Sequence, residues 1–525
     1  MSESISVPDR INMVEFFLDS RLEEGRGDKT AIYYGEEQIT YQQVVDASCQ
    51  ITNLLREHGL RIEDRCQLLL LDTPEFIHAY FGIVRAGCVA VPTNTWLKSK
   101  DFAYYLEYAR PRAVFIDATL WAEFEPALPA ARHRPVIFFV ARNGEPAPEG
   151  TVDLLAAMKT TSTDAETEPT YRDDFATWLS SSGSTGNPKC VVHMHHEFIW
   201  NTVAYAQRTL KLRDTDITLA APKLFFGYAL ASNMLFPFSV GGACVLLPDR
   251  VAAEDYFELL EKYQVTQFVT VPTTIAKMVT ARDQAKDRDL SKLHSLISAG
   301  EALPGRVYKA WRENFNAEIY DGIGSAEMFH VYITNRPGDV KEGSLGKIVE
   351  GYSFKLIDDE GNEVPEGEIG TLAITGESAG LGYWRMRDRS RTTFHGDTVI
   401  GGDKFFRDAD GYFWHCGRGD DMLKCSGVYV SPVEVENCLL GHEAVLEAGV
   451  VGFRDEAGLE KAMAFVELNE GFTGSDELAQ SIMDFAREHI AAFKAPRKIE
   501  FVDLPRTDTG KIVRAKLRTM AAELE

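Results

Sequence analysis

The sequence predicts an α/β protein with a large N-terminal body of parallel sheets, a small β-barrel-like part and a small α+β C-terminal domain. Three observations support this prediction. Short apolar runs alternate with helix-periodic segments over about the first 300 residues, and a glycine-punctuated antiparallel pattern begins after about residue 340. A mixed pattern of helices and strands then resumes near residue 420, which predicts domains at 1–419 and 420–525.

The first elements of the N-terminal body show the alternation clearly. Residues 41–59 carry apolar positions at helical spacing and end at Gly59, which predicts a helix. A buried strand over 67–72, a helix over 74–87 and a second strand over 89–92 follow. Parallel strands need crossover helices between them, so this order indicates a parallel sheet. Further strands of the same kind are predicted at 113–117, 135–141, 217–221, 243–247 and 266–271.

The pattern of predicted elements changes in the second half of the sequence. Residues 353–358 and 368–376, separated by a turn at DDEGNE, read as antiparallel strands with glycine punctuation. The C-terminal unit follows GRGDD (417–421) and forms an α+β module. Its predicted elements are a helix from Pro432, strands at 448–453 and 461–467, a helix over 476–493 and a strand at 498–502.

Charge and cysteine content exclude several classes of protein. The net charge of −24 argues against a nucleic-acid partner, because surfaces that follow a phosphate backbone are usually basic. The eight cysteines include no C-x-x-C pair, which favours reduced thiols over a disulfide framework. The N-terminal stretch lacks the pattern of a signal peptide, and the apolar runs are too short to span a bilayer. We therefore expect a soluble cytoplasmic protein without a membrane partner.

The stretch SSGSTGNPKC (181–190) has the composition of an anion-binding loop. Hydroxyl side chains and glycine backbone can form a nest of donors around phosphate oxygens, and Lys189 would add a positive charge. A Walker A loop is excluded, because it ends in Gly-Lys-Ser/Thr whereas here Pro188 precedes Lys189 and Cys190 follows. Taken alone, the stretch fits a phosphate nest and a flexible surface loop about equally.

Four further motifs decide between these interpretations. SSGSTGNPK (181–189) is followed in order by YDGIGSAE (320–327), GDKFFRDADGYFWHCGRGDDMLKCSG (402–427), SPVEVE (431–436) and PRTDTGK (505–511). Together they closely resemble the acyl-adenylate-forming superfamily of acyl-CoA synthetases, adenylation domains and luciferases, from about residue 25 to the C-terminus. Within it, KLFFGYAL (223–230), GIGSAEMFH (322–330) and DDMLKCSGVYVSPVEVE (420–436) are most similar to benzoate-CoA ligase and related aryl-CoA ligases.

The resemblance implies a ligase with two half-reactions. A carboxylate attacks the α-phosphate of ATP to give acyl-AMP and pyrophosphate, and the thiol of coenzyme A then displaces AMP. The resemblance assigns Mg²⁺ binding to Glu327 and a catalytic contact with the carboxylate and α-phosphate to Lys511, with Lys189 as a third catalytic residue. The residues that would hold the β- and γ-phosphates are Ser181, Ser182, Gly183, Ser184, Thr185, Gly186 and Lys189.

The remaining nucleotide and CoA contacts are also implied by the resemblance. Asp403 would bind the ribose hydroxyls, Arg418 the ribose or phosphate, and Asp321 the adenine amino group, although a surface salt bridge is the alternative for Asp403 and Arg418. Further ATP/AMP-binding positions are Ser298, Ala299, Gly300, Glu301, Gly322, Ile323 and Ala326. The C-terminal domain would be mobile, with its hinge at Asp420 and a CoA tunnel lined by Lys424, Ser426 and Gly427.

The acyl pocket implied by the resemblance combines small and aromatic residues, namely Phe226, Gly227, Tyr228, Ala229, Gly324, His330 and Val331. A flat slot of this kind suits an aromatic acid, although ordinary core packing of the aromatic stretch is the alternative. His330 would bond the carboxylate or a ring substituent, or else be a structural histidine.

Three residues depart from the pattern of the family. Gly227 stands where benzoate enzymes often have alanine, which hints at room for an amino or hydroxyl group on the ring. Ala326 replaces a threonine, which predicts reduced or retuned activity, and Cys190 replaces a glycine as a buried packing residue.

Two other functions remain open from the sequence. The first is a stand-alone adenylation enzyme that loads a carrier-protein thiol, and the second is a non-catalytic nucleotide-binding protein, favoured only by Ala326. Related enzymes are monomers or homodimers, and the sequence does not distinguish between them.

Overall fold

The computed structural model describes residues 4–181, 188–301, 303–425, 428–455, 460–506 and 512–524. Two large sheets form the N-terminal body. In the described residues the first sheet has eight strands, with a parallel centre and antiparallel strands at one edge. Its strand order is Gly382–Tyr383, Lys189–Met194, Phe175–Ser181, Val89–Pro92, Arg65–Leu69, Ala113–Asp117, Val136–Val140 and Val152–Asp153.

The second large sheet has nine strands in the described part of the chain and is likewise parallel at its centre. Its strand order is Lys347–Ile348, Val331–Thr334, Glu318–Gly324, Ser295–Ser298, Gln267–Thr270, Ile217–Ala220, Ala243–Val245, Thr30–Tyr34 and Glu37–Thr40. Both ends of this sheet are antiparallel, and the terminal strands are joined to their neighbours without crossover helices.

Helices cover the two sheets and begin at recognisable sequence signals. Helix Tyr41–Glu57 starts at a capping box in which Thr40 and Gln43 bond each other's backbone N–H groups. Helix Pro74–Arg85 starts with a proline in its first turn, where the missing N–H costs nothing. Other helices of this body are Ser99–Tyr108, His195–Asn201, Tyr256–Lys262, Pro272–Thr280 and Gly305–Asn314. One hydrophobic cluster contains side chains from both sheets, so the sheets share a core.

A smaller antiparallel sheet follows in the sequence, where the barrel-like part was predicted. Its strands are Ser353–Ile357, Gly370–Thr375, Phe394–His395, Thr398–Arg407 and Phe413–Arg418. Beyond it lie a two-stranded ribbon, Leu423–Cys425 with Val428–Val430, and a three-stranded sheet of Val445–Arg454, Glu460–Leu468 and Lys498–Phe501. Helices Pro432–Leu439, Asp476–His489 and Arg514–Glu523 complete this α+β domain, which has its own core.

The predicted fold class is confirmed, and most predicted elements lie within a few residues of their observed positions. The helix predicted to reach residue 493 ends at His489, because Ile490 takes an extended backbone conformation. The strand predicted from residue 448 begins earlier, at Val445, and pairs along its length with Glu460–Leu468. No helix in the described residues is both long and apolar enough to cross a membrane.

Candidate active site

The predicted phosphate-binding loop connects two antiparallel strands of the first sheet. Phe175–Ser181 pairs with Lys189–Met194, and Ser181 lies opposite Lys189 in the register. This geometry brings the two ends of the loop together at one edge of the sheet. Five residues predicted to hold phosphates lie outside the described residues, namely Ser182, Gly183, Ser184, Thr185 and Gly186.

Directly after this loop, three side chains form a buried polar cluster. Lys189 Nζ donates to Glu327 Oε1 at 3.0 Å and to Tyr383 Oη at 2.7 Å. Tyr383 Oη donates to the same Glu327 oxygen at 2.7 Å. The Lys189 side chain is only 9% exposed and that of Glu327 13%, so both charges are largely removed from water. The structure thus places two predicted catalytic residues, Lys189 and Glu327, in direct contact.

The electrostatics of this cluster keep Glu327 ionised. Burial alone would raise the pKa of Glu327, but the Lys189 ammonium and the hydrogen bond from Tyr383 hold that pKa below its usual value. Burial lowers the pKa of Lys189, and the Glu327 carboxylate opposes this shift. Within the described ranges, no group of three or more His, Cys, Asp or Glu side chains is placed to hold a metal ion.

The predicted adenine contacts lie on neighbouring parallel strands of the second sheet. Ser298 lies opposite Asp321 in the register, and Ser298 Oγ donates to Asp321 Oδ1 at 2.7 Å. Burial raises the pKa of Asp321 to about 8, so this carboxyl is largely protonated at neutral pH. Glu301, at the end of the predicted SAGE segment, accepts from Thr273 Oγ1 at 2.7 Å. The buried Ala299 and the exposed Gly300, which has φ +89°, lie between these contacts.

The glycines flanking Ile323 are required by the close approach of the next strand. A Cβ at Gly322 would lie 2.6 Å from the carbonyl oxygen of Ile333, and a Cβ at Gly324 would lie 2.4 Å from that of His330. Neither backbone atom can move without separating the strands. The half-buried Ile323 therefore lies on a strand segment with little freedom to shift.

The predicted ribose-binding residues occupy paired positions in the small antiparallel sheet. Asp403 lies opposite Arg418 in the register. The Oδ1 atom of Asp403 lies 3.2 Å from His415 Nε2. Burial together with the Asp403 and Glu327 carboxylates raises the pKa of Tyr332. Asp403 and Glu327 thus both lie near the same buried tyrosine.

The predicted acyl-pocket segment forms the short helix Gly227–Leu230, which begins directly after Phe226. Tyr228 Oη lies within hydrogen-bonding distance of two carbonyl oxygens, that of Ile297 at 2.9 Å and that of Thr270 at 3.2 Å. These carbonyls lie at or next to the ends of two parallel strands. A Cβ at Gly227 would lie 3.1 Å from Leu179 Cδ1. The buried Leu179 side chain thus occupies part of the space that the missing methyl group was expected to free.

His330 is enclosed by aromatic rings and is 3% exposed. Its Nε2 lies 3.0 Å from Ser232 Oγ and 3.1 Å from the carbonyl oxygen of Tyr228. Its Nδ1 is buried and has no hydrogen-bond partner among the described residues. Burial lowers the pKa of His330 to about 3, so the ring is neutral. The contacts of Nε2 fit the structural interpretation, while the role of Nδ1 stays a prediction. Val331, the next residue, is buried at the start of its strand.

Cys190 behaves as a packing residue. Its side chain is fully buried, and its Sγ lies 3.8 Å from Ser180 Oγ. Burial raises the pKa of the Cys190 thiol to about 12, which disfavours the nucleophilic thiolate.

The C-terminal site predictions fall largely outside the described residues. Lys511, Ser426 and Gly427 are not described, and neither are the side chains of Lys424 and Asp420. The backbone of Asp420 belongs to a 3₁₀ turn, Gly419–Asp421, directly after the strand that ends with Arg418. The next residue, Asp421, accepts a hydrogen bond from Arg518 of the last helix.

Several residues of this site were missed by the sequence reasoning. Tyr383 completes the Lys189–Glu327 cluster, His193 Nε2 donates to the carbonyl of Ala326 at 2.7 Å, and His415 contacts Asp403. Tyr383 lies 56 residues beyond Glu327, so no local spacing connects them. His193 follows Lys189 by four residues and His415 lies within the motif 402–427, whereas Tyr383 lies in none of the motifs.

Comparison with known proteins agrees with this geometry. Residues 19–384 match the AMP-binding enzyme family, and residues 434–511 match the AMP-binding enzyme C-terminal domain. Among curated proteins, benzoate–CoA ligase of Thauera aromatica is 39% identical over 98% of this chain and 97% of its own length. A 4-hydroxybenzoate–CoA/benzoate–CoA ligase of Rhodopseudomonas palustris is 37% identical over 96% of this chain and 93% of its own length.

Among solved structures, an anthranilate CoA ligase in complex with anthranoyl-AMP is 39% identical and superimposes with a TM-score of 0.92, covering 99% of this chain and 98% of that one. The family match extends over most of the chain, and the relatives align over nearly their whole length. The prediction made from the five motifs is thereby confirmed. The chain belongs to the AMP-binding enzyme family, the acyl-adenylate-forming superfamily, in which benzoate-CoA ligases are among its relatives.

Proposed function

We propose that this protein is an ATP-dependent, AMP-forming aryl-CoA ligase. It activates benzoate, or a benzoate carrying an amino or hydroxyl group, as aroyl-AMP with release of pyrophosphate, and then transfers the aroyl group to CoA. The observation that carries the proposal is the buried Lys189–Glu327–Tyr383 cluster at the end of the phosphate-binding loop. The similarity to ligases for benzoate, hydroxybenzoate and anthranilate supports the choice of an aromatic acid.

In the first half-reaction the protein acts through charge and position. A free carboxylate is a poor acyl donor, and conversion to a mixed anhydride with AMP supplies a good leaving group. Lys189 and the loop residues hold the β- and γ-phosphates, and Lys511 bridges the acid and the α-phosphate. Glu327, whose Oε1 accepts from Lys189 and Tyr383, would hold Mg²⁺, and the cation would neutralise phosphate charge. Asp403 and Arg418 hold the ribose, and Asp321 and the SAGE segment hold the adenine.

The second half-reaction requires that the contacts on the phosphate side are released so that CoA can bind. We infer that the domain 420–525 rotates about Asp420, which withdraws Lys511 and brings Lys424, Ser426 and Gly427 to a tunnel for the pantetheine arm. The thiolate of CoA attacks the acyl carbon, the acyl–oxygen bond breaks, and AMP leaves with the electron pair.

His330 suggests which aromatic acid is preferred. A carbonyl oxygen only accepts hydrogen bonds, so Nε2, which faces the Tyr228 carbonyl, carries the ring proton. The neutral ring then presents Nδ1 as a buried acceptor without a protein donor among the described residues. A ring substituent with an N–H or O–H group would satisfy this acceptor, whereas a methyl group would leave it unpaired. We therefore place amino- and hydroxybenzoates ahead of alkyl-substituted benzoates as substrates.

The test is a panel of acids assayed with ATP, Mg²⁺ and CoA by AMP release. We expect benzoate, aminobenzoates and hydroxybenzoates to exceed short fatty acids, and the opposite order refutes the aromatic assignment. For each ring position, kcat/KM for the aminobenzoate should exceed kcat/KM for the corresponding methylbenzoate by about 10-fold or more. This factor corresponds to the cost of leaving one buried polar group unpaired. His330→Phe should abolish this preference for the amino group, and Ser232→Ala should keep it.

The same assay separates the remaining alternatives. Release of AMP that depends on CoA supports a CoA ligase over an enzyme that loads a carrier-protein thiol. Absence of acid-dependent pyrophosphate exchange would favour a non-catalytic nucleotide-binding protein. Lys511→Ala should lose aroyl-AMP formation yet still convert supplied aroyl-AMP to the thioester, and loss of both steps would contradict its assigned role. We place the enzyme in the cytoplasm, because its described cysteines are unpaired and mostly buried. As for related enzymes, we propose a monomer or a homodimer.

A further inference from the structure

The turn that carries Glu327 contains a strained residue. Phe329 has φ +64° and ψ −57°, a backbone conformation that a residue with a bulky side chain rarely adopts. The N–H of His330 donates to the carbonyl of Met328 at 2.8 Å, which closes a three-residue γ-turn around Phe329. Strain of this kind persists only where the surroundings hold the backbone in place.

Two neighbouring segments hold this turn through its carbonyl groups, and a third packs against its ring. His193 Nε2 donates to the Ala326 carbonyl at 2.7 Å. The N–H of Gly380 donates to the Glu327 carbonyl at 2.9 Å, and Ser378 Oγ donates to the Met328 carbonyl at 2.9 Å. The Phe329 ring packs against Phe198, with ring centres 4.4 Å apart. The backbone on both sides of Glu327 is therefore fixed from outside the turn.

His193 is the residue that links this turn to the phosphate-binding strand. His193 and Lys189 are four residues apart on one strand, so their side chains point to the same face. One contacts the backbone next to Glu327 and the other contacts its carboxylate. Behind His193, its Nδ1 forms a close contact with Glu197, and both side chains are completely buried.

The proton in this pair is assigned by the carbonyl that it faces. The Ala326 carbonyl only accepts, so His193 Nε2 carries a proton, and Nδ1 shares a second proton with Glu197. Burial raises the pKa of Glu197, which stabilises a pair without net charge. The imidazole is thereby held with its N–H directed at the turn, as in sites where a carboxylate orients a functional histidine.

We propose that His193 and Glu197 are positioning residues that hold the strained Phe329 turn and so fix the Glu327 carboxylate for Mg²⁺ and the Ala326 N–H for a phosphate oxygen. This inference rests on the proposed function of Glu327. The backbone contact matters more in this chain, because Ala326 has no side-chain hydroxyl to hold the phosphate. The pair does not contact substrate, and its effect passes through the turn.

Two matched variants test this role. His193→Phe removes the donor but keeps an aromatic ring, and His193→Gln keeps an N–H donor, both in a Glu197→Gln background. We expect the Phe variant to need about 10-fold more Mg²⁺ for half-maximal ATP binding, measured by calorimetry without acid, and the Gln variant to stay within about threefold of the Glu197→Gln parent. Conversion of supplied aroyl-AMP to the thioester should be similar in all three proteins.

Equal Mg²⁺ dependence in the Phe and Gln variants would overturn the proposal, as would an equal loss in both half-reactions. If Mg²⁺-dependent ATP binding shifts as expected but no aromatic acid is activated, the proposed function fails while the positioning role stands.

The strain itself is tested by a second pair of variants that does not depend on activity. Phe329→Gly and Phe329→Ala both remove the ring, but only glycine accepts a positive φ without strain. We expect the Gly variant to melt about 1–3 °C above the Ala variant. A Phe329→Ala protein that is at least as stable as Phe329→Gly would show that the turn is not strained.

Discussion

Removal of the phenol oxygen of Tyr383 tests whether the buried cluster organises the phosphate side of the site. In Tyr383→Phe the ring remains beneath the Lys189 ammonium, which lies 3.9 Å from its centre. The variant loses two 2.7 Å hydrogen bonds, one donated to Glu327 and one accepted from Lys189. Hydrogen bonds to charged groups contribute about 1.5–3 kcal/mol each, and the Lys189–Glu327 ion pair remains to compensate for one of them. We therefore expect a net loss of about 1.5–3 kcal/mol, or roughly 10- to 150-fold.

The loss should appear in acid-dependent ATP–pyrophosphate exchange at limiting Mg²⁺, because Glu327 and Lys189 act before pyrophosphate leaves. Conversion of supplied aroyl-AMP and CoA to the thioester should change by less than about threefold. Tyr263→Phe is a matched control, since it loses one hydrogen bond to the Gly35 carbonyl on a distant sheet edge. Exchange within twofold of the wild type, or an equal loss in both half-reactions, would refute this reasoning.

Three further substitutions test other parts of the site. Gly324→Ala should reduce pyrophosphate exchange at least about 10-fold and lower the melting temperature, because its Cβ would lie 2.4 Å from the His330 carbonyl oxygen; wild-type values in both measurements would contradict the close strand contact. Gly227→Ala should shift the kcat/KM ratio of benzoate to ring-substituted acids by about 10-fold or less, because Leu179 lies only 3.1 Å from the new Cβ and already fills part of the space; a larger shift would mean that the slot opens directly at Gly227. Asp321→Asn should raise the melting temperature above that of the wild type at pH 9 but little at pH 5. Burial raises the pKa of Asp321 to about 8, so the free energy of unfolding of the wild type falls as pH rises from about 4 through 8. A difference in melting temperature that is independent of pH would argue against this assignment.

Much of the candidate site was predictable because the motifs named its residues directly. No strand was predicted at Ser295–Ser298 or Glu318–Gly324, and Ser298 and Asp321 were identified only through the family resemblance. The antiparallel pairing of Lys189–Met194 with Phe175–Ser181 was not predicted either, because a short apolar run does not identify the strand with which it pairs. For the same reason the residues were placed in a common site by family resemblance, and their individual contacts were not predictable.

His330 and Gly227 show where inference from the sequence was incomplete. The sequence left open whether His330 is structural or functional, and the structure shows one ring nitrogen bonded within the protein and the other buried without a partner among the described residues. The absence of a methyl group at Gly227 suggested free space, but the neighbouring Leu179 narrows it. In both cases the answer depends on atoms from other elements of the fold.

By itself, the sequence determined the fold class, the family and the residue types available for the chemistry, because hydrophobic periodicity and motif spacing are local properties of the chain. The tertiary structure alone decided that Glu327 meets Lys189, 138 residues away, and Tyr383, 56 residues away. It also decided that His193 and Glu197 support a strained turn at Phe329. Such contacts follow from the order of strands in the sheets, and that order is set by burial of a core shared by distant segments.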